Sequence, residues 1–237
     1  MTEIRISART PDAKFGAHFM AYQALPKNAG KAPVIIVIQE IFGVNSVMRA
    51  ICNSLAETGY IAICPDLFWR QQPGIQLTDQ SEKEWQKAFA LFNGFNIDLG
   101  VEDLIATLDH ARTLQEGNGK VGTLGYCLGG KLAYLMATRS DADCNVSYYG
   151  VGIQDLLDEA KNIKHPYLMH IAGKDKFVPP DAIAKIRENL SKHPHVTMYI
   201  YDEQDHAFAR VGGEHYDAAA AGLANKRTAE FLGKNLK

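Results

Sequence analysis

The sequence predicts an α/β fold with a mostly parallel central sheet, flanking helices and antiparallel strands at its N-terminal edge. Three observations lead there. Short β-branched runs alternate with longer segments of helical periodicity, the pattern of successive strand–helix–strand units. Residues 33–39, Pro-Val-Ile-Ile-Val-Ile-Gln, form a continuous apolar run, as in a strand covered on both faces. Finally, Gly125-Tyr126-Cys127-Leu128-Gly129-Gly130 stands between the short apolar strand 120–124 and the helical pattern 131–137. A glycine-flanked nucleophile between strand and helix is the context of a nucleophile elbow, with cysteine in the serine position.

Each element follows in order. Residues 2–24 read as two strands around a turn at 9–14, an edge hairpin. Residues 27–31 are a polar loop. After the strand 33–39 comes a helix over 46–58 and a second buried strand over 59–65. Residues 66–79 form a long connection with a turn at Pro73-Gly74, and long connections in compact domains are often functional. Residues 81–92 are helical in pattern, with Trp85, Ala88, Phe89 and Phe92 on one face, an arrangement more typical of core than of a substrate wall, though a helix capping a cleft can serve as both. A longer helix spans 97–114, and Gly117-Asn118-Gly119 is expected to stop it. The elbow follows, then strands over 145–150, 165–172 and 196–201, with helices at about 180–191 and 214–233. The whole chain, 1–237, is expected to form one domain.

Composition narrows the function. The formal net charge is −2, so no basic excess draws nucleic acid or anionic lipid. The longest apolar run is too short to span a bilayer, and the first residues lack a signal-peptide pattern, so the cytosol is the expected compartment. The cysteines Cys52, Cys64, Cys127 and Cys144 show no zinc spacing and are expected as free thiols. Cys52, Cys64 and Cys144 lie among apolar neighbours and read as structural.

Cys127 differs because of its setting. Side chains two before and two after an elbow nucleophile would collide, and Gly125 and Gly129 remove them. The helix beginning there aims amide N–H groups and a positive dipole end at the sulfur, favouring thiolate. A thiolate nucleophile needs a base, an orienter and oxyanion donors. Elbow folds order these as nucleophile, acid, histidine. Asp175 follows the strand 165–172, and His206 follows the strand 196–201, so both reach the sheet edge where the elbow sits. Asp202 and Asp205 compete with Asp175 but suit turn positions. His170 lies inside a strand and reads as a satisfied core histidine. His165, His193 and His195 read as solvated loop residues, and His18, His110 and His215 lie inside elements without a carboxylate signal. Glu40, directly after a very hydrophobic strand, is either a solvated loop charge or a group that holds or switches the thiol proton.

Several stretches together resemble the dienelactone hydrolase (carboxymethylenebutenolidase) family: residues 39–45, Cys64-Pro65-Asp66-Leu67 with Arg70-Gln71 and Pro73-Gly74, the elbow, Tyr148-Tyr149-Gly150-Val151-Gly152, and His206 with Phe208-Ala209-Arg210. The resemblance runs along nearly the whole chain. It implies an α/β-hydrolase fold and a triad of Cys127, Asp175 and His206, with Glu40 as the proton-switching glutamate. It implies a neutral resting thiol, activated when substrate displaces Glu40. It further implies an oxyanion hole from the backbone N–H groups of Ile41 and Leu128, and a substrate carboxylate gripped by Arg210. No metal or cofactor is implied. The partner is a small lactone or ester, and a monomer is expected.

The chain also departs from the family pattern. Trp85 stands where relatives carry a second substrate-binding arginine, Phe89 and Phe92 where they have tyrosine and tryptophan, and Ala207 where they have serine. Losing one arginine removes a charge-assisted contact worth about 1.5–3 kcal/mol. With Phe42, Trp85 and Phe89 as substrate contacts the pocket is expected to be more apolar, suited to a carboxylated lactone or to a small aromatic or enol ester. Two other classes compete: a silent binding protein on a hydrolase scaffold, and a redox-reactive thiol protein.

Overall fold

A computed structural model describes residues 2–27 and 30–237. Within the expected 27–31 loop, Asn28 and Ala29 lie outside the described residues. The chain divides into two compact units, one up to Val121 and the other Gly122–Lys237.

In the first unit, β1 (Thr2–Asp12) and β2 (Gly16–Ala24) form the expected hairpin. β2 also pairs antiparallel with β4 (Ile61–Pro65), while β3 (Ala32–Ile38) pairs with β4 in parallel, giving the order β1-β2-β4-β3. All seven residues of β3 are buried, as a strand covered on both faces requires. Helix α1 (Ser46–Glu57) connects β3 to β4. Its N-cap is Asn45, whose side-chain oxygen accepts from Met48 N while its amide donates to Leu77 O, so one residue caps the helix and ties down the long connection. Gly43 (φ 79°) permits that closure, because a Cβ there would lie 2.0 Å from Ile75 O.

Helix α2 (Glu82–Asn93) starts at the Ser81 cap, and α3 (Ile97–Arg112) at the Asn96 cap. Two expectations need correction here. The buried positions of α2 are Ala88 and Leu91; Trp85 and Phe92 are half-buried and Phe89 is 38% exposed, so the aromatic stripe is not core. α3 ends at Arg112, before the glycines, and Gly117-Asn118-Gly119 instead open the strand β5 (Gly117–Tyr126). Thr113 and Leu114 already close the last helical turn with i→i−3 bonds.

In the second unit the strands run β5-β6-β7-β8, all parallel, with β6 at Cys144–Tyr148, β7 at Tyr167–Ala172 and β8 at Val196–Tyr201. Helices α4 (Leu128–Arg139), α5 (Pro180–Leu190) and α6 (Ala218–Leu236) fill the gaps. α6 begins later than the expected residue 214, because Asp217 caps it by accepting from Ala220 N; His215 therefore lies in a turn. Two short 3-10 helices, Ile153–Asp155 and Leu157–Asn162, carried no sequence signal. The predicted class holds: mostly parallel strands, antiparallel at the N-terminal side, with helices between. Among the described residues no helix is long and apolar enough to cross a membrane.

Candidate active site

β5 runs straight into Cys127, and α4 starts at the next residue. Cys127 has φ 56° and ψ −114°, a conformation an L-residue adopts only at a cost of about 1–3 kcal/mol. Hydrogen bonds hold it there: Cys127 N donates to Tyr148 O at 3.1 Å, and Lys131 N donates to Cys127 O at 3.2 Å. Gly125 is obligatory, since a Cβ would lie 1.9 Å from the carbonyl oxygen of Gly129. Gly130 is equally constrained, with Tyr148 O at 2.6 Å from its would-be Cβ. Cys127 occupies the N-cap of α4 and no side chain caps that end. The positive end of the helix, with Leu128 as its first residue, therefore starts at the nucleophile position.

The loops after β7 and β8 supply the other two groups. Asp175 Oδ2 lies 2.7 Å from His206 Nδ1, and its Oδ1 accepts from Phe177 N at 2.8 Å. Both side chains are buried, 1% and 8% exposed. Gly173 lets the loops meet: its Cβ would fall 2.6 Å from Asp202 Cα, and Gly173 N and Lys174 N donate to Tyr201 O and Gln204 O. Asp202 and Asp205 take other roles. Asp202 supplies the backbone that Gly173 abuts, and Asp205 accepts from His206 N at 2.7 Å, a local turn contact.

Cys127 also acts electrostatically on the His206 ring. Burial pulls the His206 pKa down, but the charge of Cys127 and the bond to Asp175 outweigh burial and raise it to about 10. Asp175 and His206, 31 residues apart along the chain, are thus hydrogen-bonded, and Cys127 acts on the same ring. The imidazole favours the protonated, charged form beside the sulfur.

Sequence reasoning assigned no role at this site to Tyr149 and Phe177. Their rings pack edge-on against His206 at 5.1 and 4.9 Å, and Tyr149 carries φ 38°. Tyr149 lay within a motif that carried the family resemblance, but neither periodicity nor spacing marked it as a neighbour of His206. Ala207 also has positive φ, 63°. Arg210 is 8% exposed in the same loop, its N–H donating to Ala207 O. His170 is 1% exposed, with both ring nitrogens bonded, in agreement with its core reading.

Glu40, Ile41 and Phe42 belong to the first unit. All three are buried, Glu40 at 1% exposure. Gln39 braces this turn, donating to Glu40 O and accepting from Leu67 N. The Phe42 ring meets Trp85 edge-on at 5.0 Å, and Trp85 stacks on Phe89 at 5.5 Å. Trp85 Nε1 donates to Asp79 O at 3.0 Å, which fixes the indole.

Known proteins are similar to this chain. The chain is 48% identical along its full length to a protein of Azospirillum brasilense, all of which is covered. It is 44% identical over 217 residues to the carboxymethylenebutenolidase of Pseudomonas putida, covering 92% of each chain. A crystal structure from Klebsiella pneumoniae subsp. pneumoniae MGH 78578 aligns with a TM-score of 0.81 at 28% identity, over 98% of this chain and 99% of that one. The dienelactone hydrolase of Anabaena variabilis ATCC 29413 shares the fold, with a TM-score of 0.71 at 17% identity over 100% and 99% of the two chains. The model of the dienelactone hydrolase family matches residues 19–236. The chain belongs to the dienelactone hydrolase family and has the α/β-hydrolase fold.

Proposed function

We propose that the protein hydrolyses a lactone or small ester through an acyl-thioester on Cys127, acting as one hydrolase domain. The observation that carries this reading is the Asp175–His206 hydrogen bond, with Cys127 acting on the same imidazole from a strained strand-to-helix turn. The Cys127 thiolate attacks the carbonyl carbon. The oxyanion is received by the backbone N–H of Leu128, at the start of α4, and by that of Ile41, whose role follows from the resemblance carried by residues 39–45. The ester C–O bond then breaks as the carbonyl of the thioester reforms, and the leaving enolate takes its proton from the His206 imidazolium or from water.

Deacylation uses the same histidine in the opposite sense. The Cys127 charge is the largest influence raising the His206 pKa. A thioester sulfur carries no charge, so acylation removes that influence while burial remains. The pKa falls, and His206, oriented by Asp175, becomes a base for the attacking water. In this reading Glu40 would act on the thiol proton when substrate enters, and Arg210 would pair with a substrate carboxylate.

A second reading concerns the substrate alone. The half-buried Trp85 and exposed Phe89, joined to Phe42 by ring contacts, favour an aromatic or otherwise apolar ester. A panel of lactones and aryl esters, with and without a carboxylate, separates the two. Cys127→Ala is expected to abolish turnover on every active member, and remaining hydrolysis would refute the nucleophile. Arg210→Ala is expected to raise KM chiefly for carboxylated members; an equal loss on neutral esters would contradict its role.

A further inference from the structure

Behind the site, in the second unit, lies a hydrogen-bond chain that the reaction does not use. Arg227 Nη1 donates to Tyr201 OH at 3.2 Å, and Tyr201 OH lies 2.9 Å from His170 Nδ1. His170 Nε2 lies 2.9 Å from Thr228 Oγ1, which is 2.7 Å from Tyr148 OH. Tyr148 OH donates to Asn225 Oδ1 at 3.0 Å. The chain leaves α6 at Arg227, passes through β8 and β7, returns to α6 at Thr228, and ends at Asn225 after crossing β6.

Its two ends set its direction. A guanidinium only donates, so the Tyr201 oxygen accepts from Arg227, which leaves its O–H to donate to His170 Nδ1. A neutral imidazole with Nδ1 as acceptor carries its proton on Nε2, which donates to Thr228. Tyr148 spends its proton on Asn225, so Thr228 donates to Tyr148. Every hydroxyl then accepts once and donates once. His170 suits this, because burial and the nearby Arg227 push its pKa down to about 3 and keep the ring neutral.

The chain also reaches the reacting groups through the backbone. The Tyr148 carbonyl accepts the Cys127 N–H, and the His170 carbonyl accepts the Tyr149 N–H at 2.8 Å. The Tyr148 ring lies 4.4 Å from the His170 ring, and the Tyr149 ring packs on His206. Two of the three non-glycine residues with positive φ among the described residues, Cys127 and Tyr149, donate their N–H groups to Tyr148 at the end of β6 and to His170 within β7. Strained residues persist only where their surroundings over-determine them.

We propose that His170, locked as the Nε2–H tautomer within a one-way chain from Arg227 to Asn225, is a positioning residue that holds the Tyr148–Tyr149 turn and through it the Cys127–His206 pair. The proposal rests on the reading of Cys127 and His206 as the reacting groups. Thr228→Val removes the middle of the chain at nearly constant volume, and Thr228→Ser restores the hydroxyl. Tyr148→Phe is a second, milder interruption.

Nitrogen-15 NMR of histidine-labelled protein is expected to show His170 protonated on Nε2 and untitrated across the neutral range; an Nδ1–H tautomer would overturn the assignment. Thr228→Val and Tyr148→Phe are expected to lower kcat on an activated aryl ester by about tenfold with KM unchanged, well below their melting temperatures. They are also expected to shift the pH profile of Cys127 alkylation, read by mass spectrometry, and Thr228→Ser is expected to restore both readouts. A lowered melting temperature with wild-type kcat and alkylation profile would refute positioning and leave a purely structural chain. Cys127→Ala keeps the two readings apart: hydrolysis remaining there refutes the nucleophile, whereas its full loss beside wild-type kinetics in Thr228→Val refutes positioning alone.

Discussion

Asp175→Asn is a nearly isosteric change whose cost can be worked out from lone pairs. The carboxylate accepts twice, from His206 Nδ1 through Oδ2 at 2.7 Å and from Phe177 N through Oδ1 at 2.8 Å, and Asp175 is 3% exposed. Asparagine offers one acceptor oxygen and one donating amide. If the oxygen stays with Phe177, the amide faces Nδ1 and forces that nitrogen to accept. The ring proton then sits on Nε2, toward the sulfur, and a neutral His206 can no longer take the thiol proton. If the oxygen faces His206 instead, the amide confronts the Phe177 N–H, and a buried donor left unpaired costs about 1–3 kcal/mol. Either way His206 loses the Asp175 charge that helps raise its pKa to about 10, so that value falls. We expect kcat to drop by about 10³–10⁴-fold, the scale of a triad histidine held in the wrong tautomer. Ester hydrolysis and Cys127 alkylation, each followed against pH, read both effects. A variant with near-wild-type kcat and an unmoved His206 titration would refute the assignment of Asp175 as orienter.

Other expectations follow from the same geometry. Gly125→Ala places a methyl 1.9 Å from Gly129 O, so the elbow backbone must move by about 1 Å; activity is expected to fall by about 10²-fold, and unchanged kinetics would show that the turn is not held as described. His206 should also couple stability to pH. Its pKa is raised from 6.5 in the unfolded chain to about 10, so its contribution is fully present below 6.5 and lost as pH rises through 10. Urea midpoints should therefore decline over that window in the wild type, and less steeply in Asp175→Asn. Asn45→Ala removes the α1 cap and the tie to Leu77 together, with an expected loss of about 1–2 kcal/mol in chemical denaturation and little change in KM.

Much of this arrangement was legible along the chain because the signals are local. The β-branched run of β3, the Gly125/Gly129 spacing around Cys127, and the strand ends before Asp175 and His206 depend on neighbours a few residues away. Where local rules failed, longer contacts had won. Gly117-Asn118-Gly119 looked like a helix stop and became the start of β5. Trp85 and Phe89 looked like core on periodicity, yet the buried positions of α2 are Ala88 and Leu91.

Secondary-structure periods and turn chemistry operate over one or two turns of backbone, so fold class and the placing of Cys127, Asp175 and His206 directly after strands could be read without coordinates. Which carboxylate meets His206, where the proton of His170 resides, and how Tyr148 and Tyr149 brace the elbow belong to another scale. Asp175 and His206 are 31 residues apart, His170 and Thr228 58, and Tyr148 and Thr228 80. The direction of each of those bonds depends on donors and acceptors that only folding brings within 3 Å, and no pattern of neighbouring residues encodes it.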